Sequence, residues 1–221
     1  MKHFNELQEG VYDPNIFKAF FIAGGPGSGK SFVVRKTTGG LGLRVVNSDD
    51  AFEAQLKKAN LSLKMPASET EPRNVVRDRA KQTTDTRKAG YIQGRLGVII
   101  DGTGRDFDKI SSEAKDLQQL GYETYMIYVN TSLDVAKERN AMRPRTIPEP
   151  IVTKSWNDVQ QNLGKFSGLF RQNFVVVDNN DAGDDVFNAV SKQIRGLVKK
   201  KVKNGLALQW IRNELDKKRR K

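Results

Sequence analysis

The segment that most constrains the fold is the glycine-rich run GGPGSGKS at residues 24–31. It matches the pattern G-x-x-x-x-G-K-[ST], with Gly24, Gly29, Lys30 and Ser31 at the fixed positions. An apolar run directly before it predicts a strand, and the residues directly after it predict a helix. This is the context that the pattern requires, so the run predicts a phosphate-binding loop in an α/β fold.

The chemistry of such a loop follows from its residue types. Glycines let the backbone curl so that several N–H groups point at one anion, and the helix N-terminus adds its positive end. Lys30 is expected to reach the β- and γ-phosphates of ATP, and Ser31 to place its hydroxyl on Mg²⁺. A glycine-rich turn without a ligand is the alternative. The residues predicted to bind the nucleotide are Gly25, Gly27, Ser28, Gly29, Lys30, Ser31, Phe32 and Arg143.

Short apolar runs alternate with amphipathic stretches along the chain, which predicts a parallel sheet in a three-layer P-loop NTPase fold with a basic C-terminal helical tail. We expect a kinase domain over residues 1–183 and an amphipathic, basic helical extension over 184–221. Strands are predicted at 17–23, 43–46, 96–100, 122–129 and 174–177, and helices at 30–38, 50–59, 74–90, 107–120, 133–142, 149–163 and from 184 onward, with a loop or cap at 60–72.

Composition excludes several function classes. The chain has no cysteine and a single histidine, His3, so thiolate chemistry and His-based metal sites or triads are excluded. Twelve of the 38 basic residues and two of the 26 acidic ones lie at 192–221, so this tail carries +10 of the net charge of +12. The tail predicts nucleic acid as a partner, although such a run is also typical of a solvated face. No apolar run is long enough for a signal or a membrane span, so we expect a cytoplasmic protein.

Two acidic positions follow predicted strands, where open parallel sheets bind their ligands. Asp49 and Asp50 come just after the second strand, and Asp49 is predicted to take the proton from an attacking hydroxyl. Ser48, Asp49 or Asp50 would also suit a helix cap, and both roles are compatible if Asp50 caps and Asp49 reacts. Asp101 ends the third strand and is predicted to act catalytically and to hold Mg²⁺, although an Asp-Gly pair also forms turns.

Thr103 and Arg105, in the Gly-Thr-Gly turn region after the third strand, are weaker candidates. The run RNAMRPRTIP places Arg139, Arg143 and Arg145 at and beyond a predicted helix end. A guanidinium clamp suits the charge that develops on a transferred phosphoryl group, although cations also favour helix C-termini. Three arginines in seven residues favour the clamp, in a lid.

Four segments in this order, GGPGSGKS, NSDD, IIDGTG and RNxxR, resemble the polynucleotide kinase and zeta-toxin group of P-loop kinases, including phage-type members. The resemblance covers residues 17–178. It implies that Asp49 matches the general base, that Arg139 and Arg143 match the lid arginines, and that Asp101 matches the acidic residue ending the third strand. The 5′-kinases of this group carry an arginine three residues after the base, where this chain has Phe52.

These features predict a kinase that transfers the γ-phosphoryl group of ATP to a hydroxyl. DNA or RNA is the favoured acceptor, and the phosphorylated hydroxyl would be that of a 5′-end or of a hydroxymethylated base, as in related phage DNA-modifying kinases. If the gene is of phage origin, the protein is expected in the host cytoplasm. The alternatives are a zeta-toxin-like kinase of a nucleotide, nucleotide sugar or similar metabolite, and a non-catalytic, ATP-dependent module that binds nucleic acid or an acidic protein.

Overall fold

The computed structural model describes residues 10–64, 66–143 and 146–220. In this part of the chain one or two helices follow each strand, and short 3₁₀ turns lie at Ala67–Glu69, before the longest helix, and at Arg171–Asn173, before the last strand. The elements are β1 Lys18–Ala23, α1 Lys30–Thr38, β2 Arg44–Val46, α2 Ser48–Lys58, α3 Thr70–Gln93, β3 Val98–Asp101, α4 Phe107–Gln119, β4 Glu123–Asn130, α5 Leu133–Ala141, α6 Glu149–Phe170, β5 Phe174–Asp178, α7 Asp184–Lys199 and α8 Gly205–Arg219.

The five strands form one parallel sheet in the order β2-β3-β1-β4-β5. Strand β1 lies in the middle, with Ile22 level with Asp101 of β3 and Ala23 level with Tyr128 of β4. Because all strands run the same way, their carboxyl ends meet at one edge. The glycine-rich loop that follows β1 therefore lies at the centre of that edge.

Helices cover both faces of the sheet, which confirms the predicted three-layer α/β fold. Successive side chains of β1 point to opposite faces, so Phe21 packs with Leu117 of α4 and Phe166 of α6, while Ile22 packs with Val33 of α1 and Ile194 of α7. Every residue of β1 is buried, and the apolar run that follows Lys18 in this strand is typical of a central parallel strand.

Three predicted helix boundaries were wrong. Helix α2 begins at Ser48 because Asn47 is its cap: the Asn47 Oδ1 atom accepts a hydrogen bond from the Asp49 backbone N–H at 2.8 Å. Helix α3 begins at Thr70 and includes Pro72, which is tolerated because the first turn needs no N–H donor there. Helix α6 continues past Gly164 to Phe170, whose buried ring extends the apolar stripe of this helix.

The C-terminal region packs on the same sheet. Helix α7 places Phe187, Ile194 and Leu197 in the core shared with α1. The expected boundary between a kinase domain and a C-terminal extension at residue 183 stays a prediction. Helix α8 packs Ala207 against Phe17, just before β1. The basic tail therefore lies at the amino-terminal edge of the sheet, opposite the glycine-rich loop. Among the described helices, none is long and apolar enough to cross a membrane.

Candidate active site

The glycine-rich loop is shaped by close backbone packing. Gly27 has a φ of 79°, and a Cβ atom there would lie 2.0 Å from the Ala136 carbonyl oxygen of α5. Gly29 has a φ of 81° and caps α1 without a side-chain hydrogen bond. The loop therefore needs glycine at both positions, and the N-terminus of α1 keeps its backbone donors available.

One hydroxyl of the loop is buried without a hydrogen-bond partner. The Ser28 side chain is buried, and its Oγ atom has no hydrogen-bond partner among the described residues. The N-terminus of α1 has no side-chain cap, so its backbone donors remain available to a ligand. This open helix N-terminus makes the loop suitable for a phosphate group.

Lys30 lies at the floor of the site. Its Nζ atom donates hydrogen bonds to the carbonyl oxygens of Gly24 at 2.7 Å and Gly25 at 3.4 Å. Burial lowers the pKa of the Lys30 ammonium from its ordinary value, while the carboxylates of Asp101 and Asp49 oppose this change. The two carboxylates thus act electrostatically on the loop lysine, as expected if all three surround one ligand.

Asn47 joins the two carboxylate-bearing segments. Its Nδ2 atom donates to Asp101 Oδ2 at 2.9 Å, while its Oδ1 atom caps α2 at Asp49. The prediction that Ser48, Asp49 or Asp50 caps this helix is therefore wrong, because the preceding asparagine supplies the acceptor. Asp49 and Asp50 both lie in the exposed first turn of α2, which Asn47 caps.

Burial changes the proton affinity of two carboxyl groups at this edge. Burial raises the pKa of Asp101 above its ordinary value; Lys30 opposes this change, and the nearby Asp49 adds to it. Burial also raises the pKa of Asp50, with further repulsion from Glu53 and Asp49. Such a site favours the binding of a cation, which would relieve the repulsion between the carboxylates.

The two predicted lid arginines that the structure describes have different surroundings. The Arg139 Nη1 and Nη2 atoms donate to the carbonyl oxygens of Asn179 at 2.6 Å and Asn180 at 3.0 Å. Arg143 is exposed at the end of α5. The Asn140 side chain donates one hydrogen bond to the Ile147 carbonyl oxygen and accepts one from the Ile147 backbone N–H, so it links α5 to the residues just before α6. Arg145 lies outside the described residues, as does His3.

Asn179 connects β5 to the loop. Its Nδ2 atom donates to the Ser28 carbonyl at 2.8 Å, and its backbone N–H donates to the Asn130 carbonyl at 2.8 Å. Its side chain is buried, so this hydrogen bond is shielded from water. The same residue therefore holds the glycine-rich loop and, through its carbonyl, Arg139.

A cavity of about 540 Å³ brings most of the predicted site residues together. Ser28 is the exception, because its side chain is buried within the loop. Thr103 is among the lining residues, whereas Arg105 lines a neighbouring cavity beneath the β3–α4 turn. The lining residues are Gly25, Gly27, Gly29, Lys30, Ser31, Phe32, Asn47, Ser48, Asp49, Asp50, Glu53, Asp101, Gly102, Thr103, Lys109, Arg139 and Arg143.

Sequence reasoning missed Asn47, Asn179 and Lys109. Asn47 had a usable signal, because asparagine directly before a helix is a strong cap residue. Asn179 had the same signal as Asp49 and Asp101, because it follows a predicted strand of the parallel sheet. Lys109 had none, since only the fold brings the first turn of α4 to this edge. Among the described residues, no group of three metal-ligating side chains occurs. Mg²⁺ commonly needs fewer, because it combines one or two carboxylates with waters and substrate phosphates.

Comparison with known proteins agrees with this architecture. The profile of a protein family described as an AAA domain, AAA_33, matches residues 20–166, which include the loop and all the residues that line the cavity. The chain belongs to this family. Its five-stranded parallel sheet with flanking helices is a P-loop kinase-like fold. No match was found among curated proteins.

Several solved structures share the AAA_33 chain's fold at low identity. A toxin–antitoxin system protein, PezAT of Streptococcus pneumoniae, is 14% identical, with a TM-score of 0.54 over 98% of this chain and 93% of that chain. A gluconokinase from Sinorhizobium meliloti 1021 is 13% identical, with a TM-score of 0.50 over 84% of this chain and 95% of that one. A chain of the Pnkp1/Rnl/Hen1 RNA repair complex is 18% identical, with a TM-score of 0.53 over 69% of this chain and 47% of that one.

Proposed function

We propose that this AAA_33 protein is a kinase that transfers the γ-phosphoryl group of ATP to a hydroxyl group. The observation that carries the proposal is the cavity in which Lys30, Asp49, Asp101 and Arg143 surround one space at the loop. A phosphate-binding lysine, two carboxylates and an exposed guanidinium are the groups that phosphoryl transfer requires.

The loop, Lys30 and Asp101 each have a role in binding ATP. The backbone donors of the loop and the Lys30 ammonium bind the β- and γ-phosphates. Ser31 and Asp101 would hold Mg²⁺, which when bound supplies positive charge to the phosphate oxygens. Asn47 orients the Asp101 carboxylate through its 2.9 Å hydrogen bond, so that carboxylate is positioned before the ligand arrives.

Asp49 acts as the base in this proposal. It accepts the proton of the acceptor hydroxyl as the new O–P bond forms and the bond between the γ-phosphorus and the ADP oxygen breaks. Arg143 stabilises the charge on the transferring group. Arg139 is held by the Asn179 and Asn180 carbonyls and supports the nucleotide side of the cavity as the second lid arginine.

Nucleic acid is the first candidate acceptor, and the basic tail supports it through phosphate contacts. Its position at the opposite edge of the sheet means that a polymer would have to pass around the domain to reach Asp49. This distance, and the carboxylates of Asp50 and Glu53 beside Asp49, favour a small hydroxyl compound as the second candidate. Like charges repel a polyanion at close range.

The test is phosphotransfer from γ-labelled ATP to a panel of DNA, RNA, nucleoside, sugar and nucleotide-sugar acceptors. Asp49→Asn should lower transfer by about 10²- to 10⁴-fold, the usual size of a general-base contribution, with ATP affinity retained. Asp50→Asn is the matched control and should change transfer little, because Asn47 and not Asp50 caps the helix.

Lys30→Ala should weaken ATP binding and abolish transfer, because the phosphates lose their charged partner. An Asp49→Asn variant as active as Asp50→Asn would disprove the role of Asp49. Failure of the wild-type protein to label any acceptor, with ATP still bound, would instead favour a non-catalytic binding module.

A further inference from the structure

The segment between α7 and α8 presents three lysines on a fixed backbone. The buried Lys18 Nζ atom donates a hydrogen bond to the Lys200 carbonyl oxygen at 2.8 Å. The Lys203 backbone N–H donates to Glu123 Oε1 at 2.8 Å. These bonds hold the backbone of the segment on the sheet, while the side chains of Lys200, Lys201 and Lys203 are exposed.

The three lysines line a cavity of about 650 Å³ at the amino-terminal edge of the sheet. The amide side chains of Gln172 and Asn173 line it as well. The Glu123 carboxylate is also in this lining, but its charge is offset by the ion pair with Lys18. A concave surface that combines exposed ammonium groups with amide donors attracts a ligand that carries several anionic oxygens.

A smaller cavity, of about 280 Å³, adjoins the first one. Gln118 and Asn204 line the first cavity, whereas Gln119 and Leu206 line the second. Because these residues are close neighbours in the chain, the two cavities lie side by side at the first turn of α8. A ligand with repeating units can therefore occupy both.

The smaller cavity has an aromatic and apolar lining. Leu206 and Trp210 lie one turn apart on α8, and Leu120 lines the cavity with them. The Trp210 ring packs edge-on against Phe17, with 5.4 Å between the ring centroids. Arg95 lines the same cavity, and its Cζ atom lies 5.8 Å from the centroid of the Phe17 ring. Aromatic faces beside a guanidinium suit a nucleobase, which stacks on both kinds of group.

The charge beside the smaller cavity decides which ligand fits it. An apolar pocket alone would also suit a protein side chain. Here it adjoins the three lysines, and further cations follow along α8, where the acidic residues are Glu214 and Asp216. Flat bases joined by phosphates are the repeating chemistry of a polynucleotide, and a base enters such a pocket only when it is unpaired. The further cations are Arg212, Lys217, Lys218 and Arg219.

We propose that the amino-terminal edge of the sheet binds a single-stranded polynucleotide, with a base in the cavity of Trp210 and Arg95 and neighbouring phosphates on the three lysines. This inference goes beyond the proposed function. The surface lies about 20 Å from the glycine-rich loop, the length of the six-residue strand β1, so it docks the strand apart from the groups that transfer phosphate.

The test measures the binding of labelled oligomers to the full-length protein by fluorescence anisotropy, without ATP. The probes are DNA and RNA single strands of about twelve nucleotides, within the usual site size. An abasic strand and a duplex of the same length, and an oligoglutamate peptide of the same charge, are the comparison probes. Because no ATP is present, the results do not depend on the kinase proposal.

The phosphate contacts are tested by replacing Lys200, Lys201 and Lys203 together with glutamine. This variant should bind the single strand about 10- to 100-fold more weakly at about 0.1 M salt. The slope of log Kd against log salt should fall by about 2, since each phosphate contact on a single strand contributes about 0.7. The control replaces Lys57, Lys58 and Lys81 of α2 and α3 with glutamine, and it should change neither quantity. Equal losses in the two triple variants would overturn the inference.

The base pocket is tested separately. The wild-type protein should bind the single strand about 10-fold more tightly than the abasic strand, and Trp210→Leu should remove most of this difference. In a Trp156→Phe background, Trp210 is the only tryptophan, so a stacked base should quench its emission and the abasic strand should not. This second measurement leaves Trp210 in place and does not depend on the folding of the Trp210 variant.

Three further results would overturn the inference. The first is equal affinity for the abasic strand or for the peptide. The second is a duplex that binds as tightly as the single strand. The third is Trp210 emission that no oligomer changes. A preference for DNA or for RNA among the single strands supports the site and identifies the sugar of its ligand.

Discussion

A buried ion pair at the amino-terminal edge of the sheet offers the sharpest test of the packing. The Lys18 side chain is 0% exposed, and its Nζ atom lies 2.5 Å from Glu123 Oε2. Lys18 also donates to the Lys200 carbonyl at 2.8 Å, and Glu123 accepts from the Lys203 backbone N–H at 2.8 Å. The pair therefore holds the segment between α7 and α8 on the sheet.

Removing one partner should be strongly destabilising. Glu123→Leu leaves the Lys18 ammonium buried without its counter-ion, and breaking such a pair costs about 3–5 kcal/mol. Because the Glu123 side chain is 18% exposed, we expect the lower end, about 3 kcal/mol. For a chain of this length, each kcal/mol lowers the Tm by about 2–4 °C, so the Tm should fall by about 6–12 °C.

The assay is thermal and denaturant unfolding of wild type, Glu123→Leu, Lys18→Met and the double variant. The double variant should be more stable than either single variant, because replacing both charges with apolar groups removes the unpaired charge. ATP binding should persist, since the pair lies at the edge away from the loop. This reasoning would be refuted if each single variant lost less than about 1 kcal/mol of unfolding free energy and the two losses added up in the double variant.

The pair also predicts a dependence on pH. Hydrogen bonds from Lys18, Tyr125 and Lys203 outweigh burial and lower the pKa of Glu123 from its ordinary value of 4.5. Its contribution to stability is therefore present above that value and is lost as the pH falls through the folded-state pKa. The difference in unfolding free energy between wild type and Glu123→Leu should shrink in that acidic range.

Two predictions concern the cavity. Arg143→Ala should lower kcat by about 10²-fold with little change in ATP affinity. Arg139→Ala should also weaken the binding of ATP, because Arg139 is bound to the Asn179 segment. Equal effects of the two variants on ATP affinity would contradict this difference. Asn179→Ala should lower stability by about 1–3 kcal/mol by leaving the buried Ser28 carbonyl unpaired, and should weaken ATP. ATP binding can be followed by the fluorescence of Trp156, which packs on Gly25, in a Trp210→Phe background. If Asn179→Ala changed neither the stability nor the ATP affinity, this role for Asn179 would be excluded.

The sequence by itself determined the fold class and the place of the loop. The pattern from Gly24 to Ser31 depends on local backbone geometry, and the apolar runs depend on burial, so both are visible in a single segment of chain. Asp49 and Asp101 were predicted to approach the loop because each follows a strand of one parallel sheet. The ends of helices were less predictable, as Asn47 shows, because several neighbouring residues would suit the same cap.

Only the tertiary structure decided which residues far apart in the sequence contact each other around the loop and between the helices. Asn179 reaches Ser28 across 151 positions of sequence, and Arg77 covers Phe52 through the packing of two helices. The charge of the tail was visible in the sequence, but its position at the edge opposite Asp49 follows from the contacts of Ala207 and Lys18. Contacts of this kind arise from side-chain packing between elements, and no local pattern encodes them.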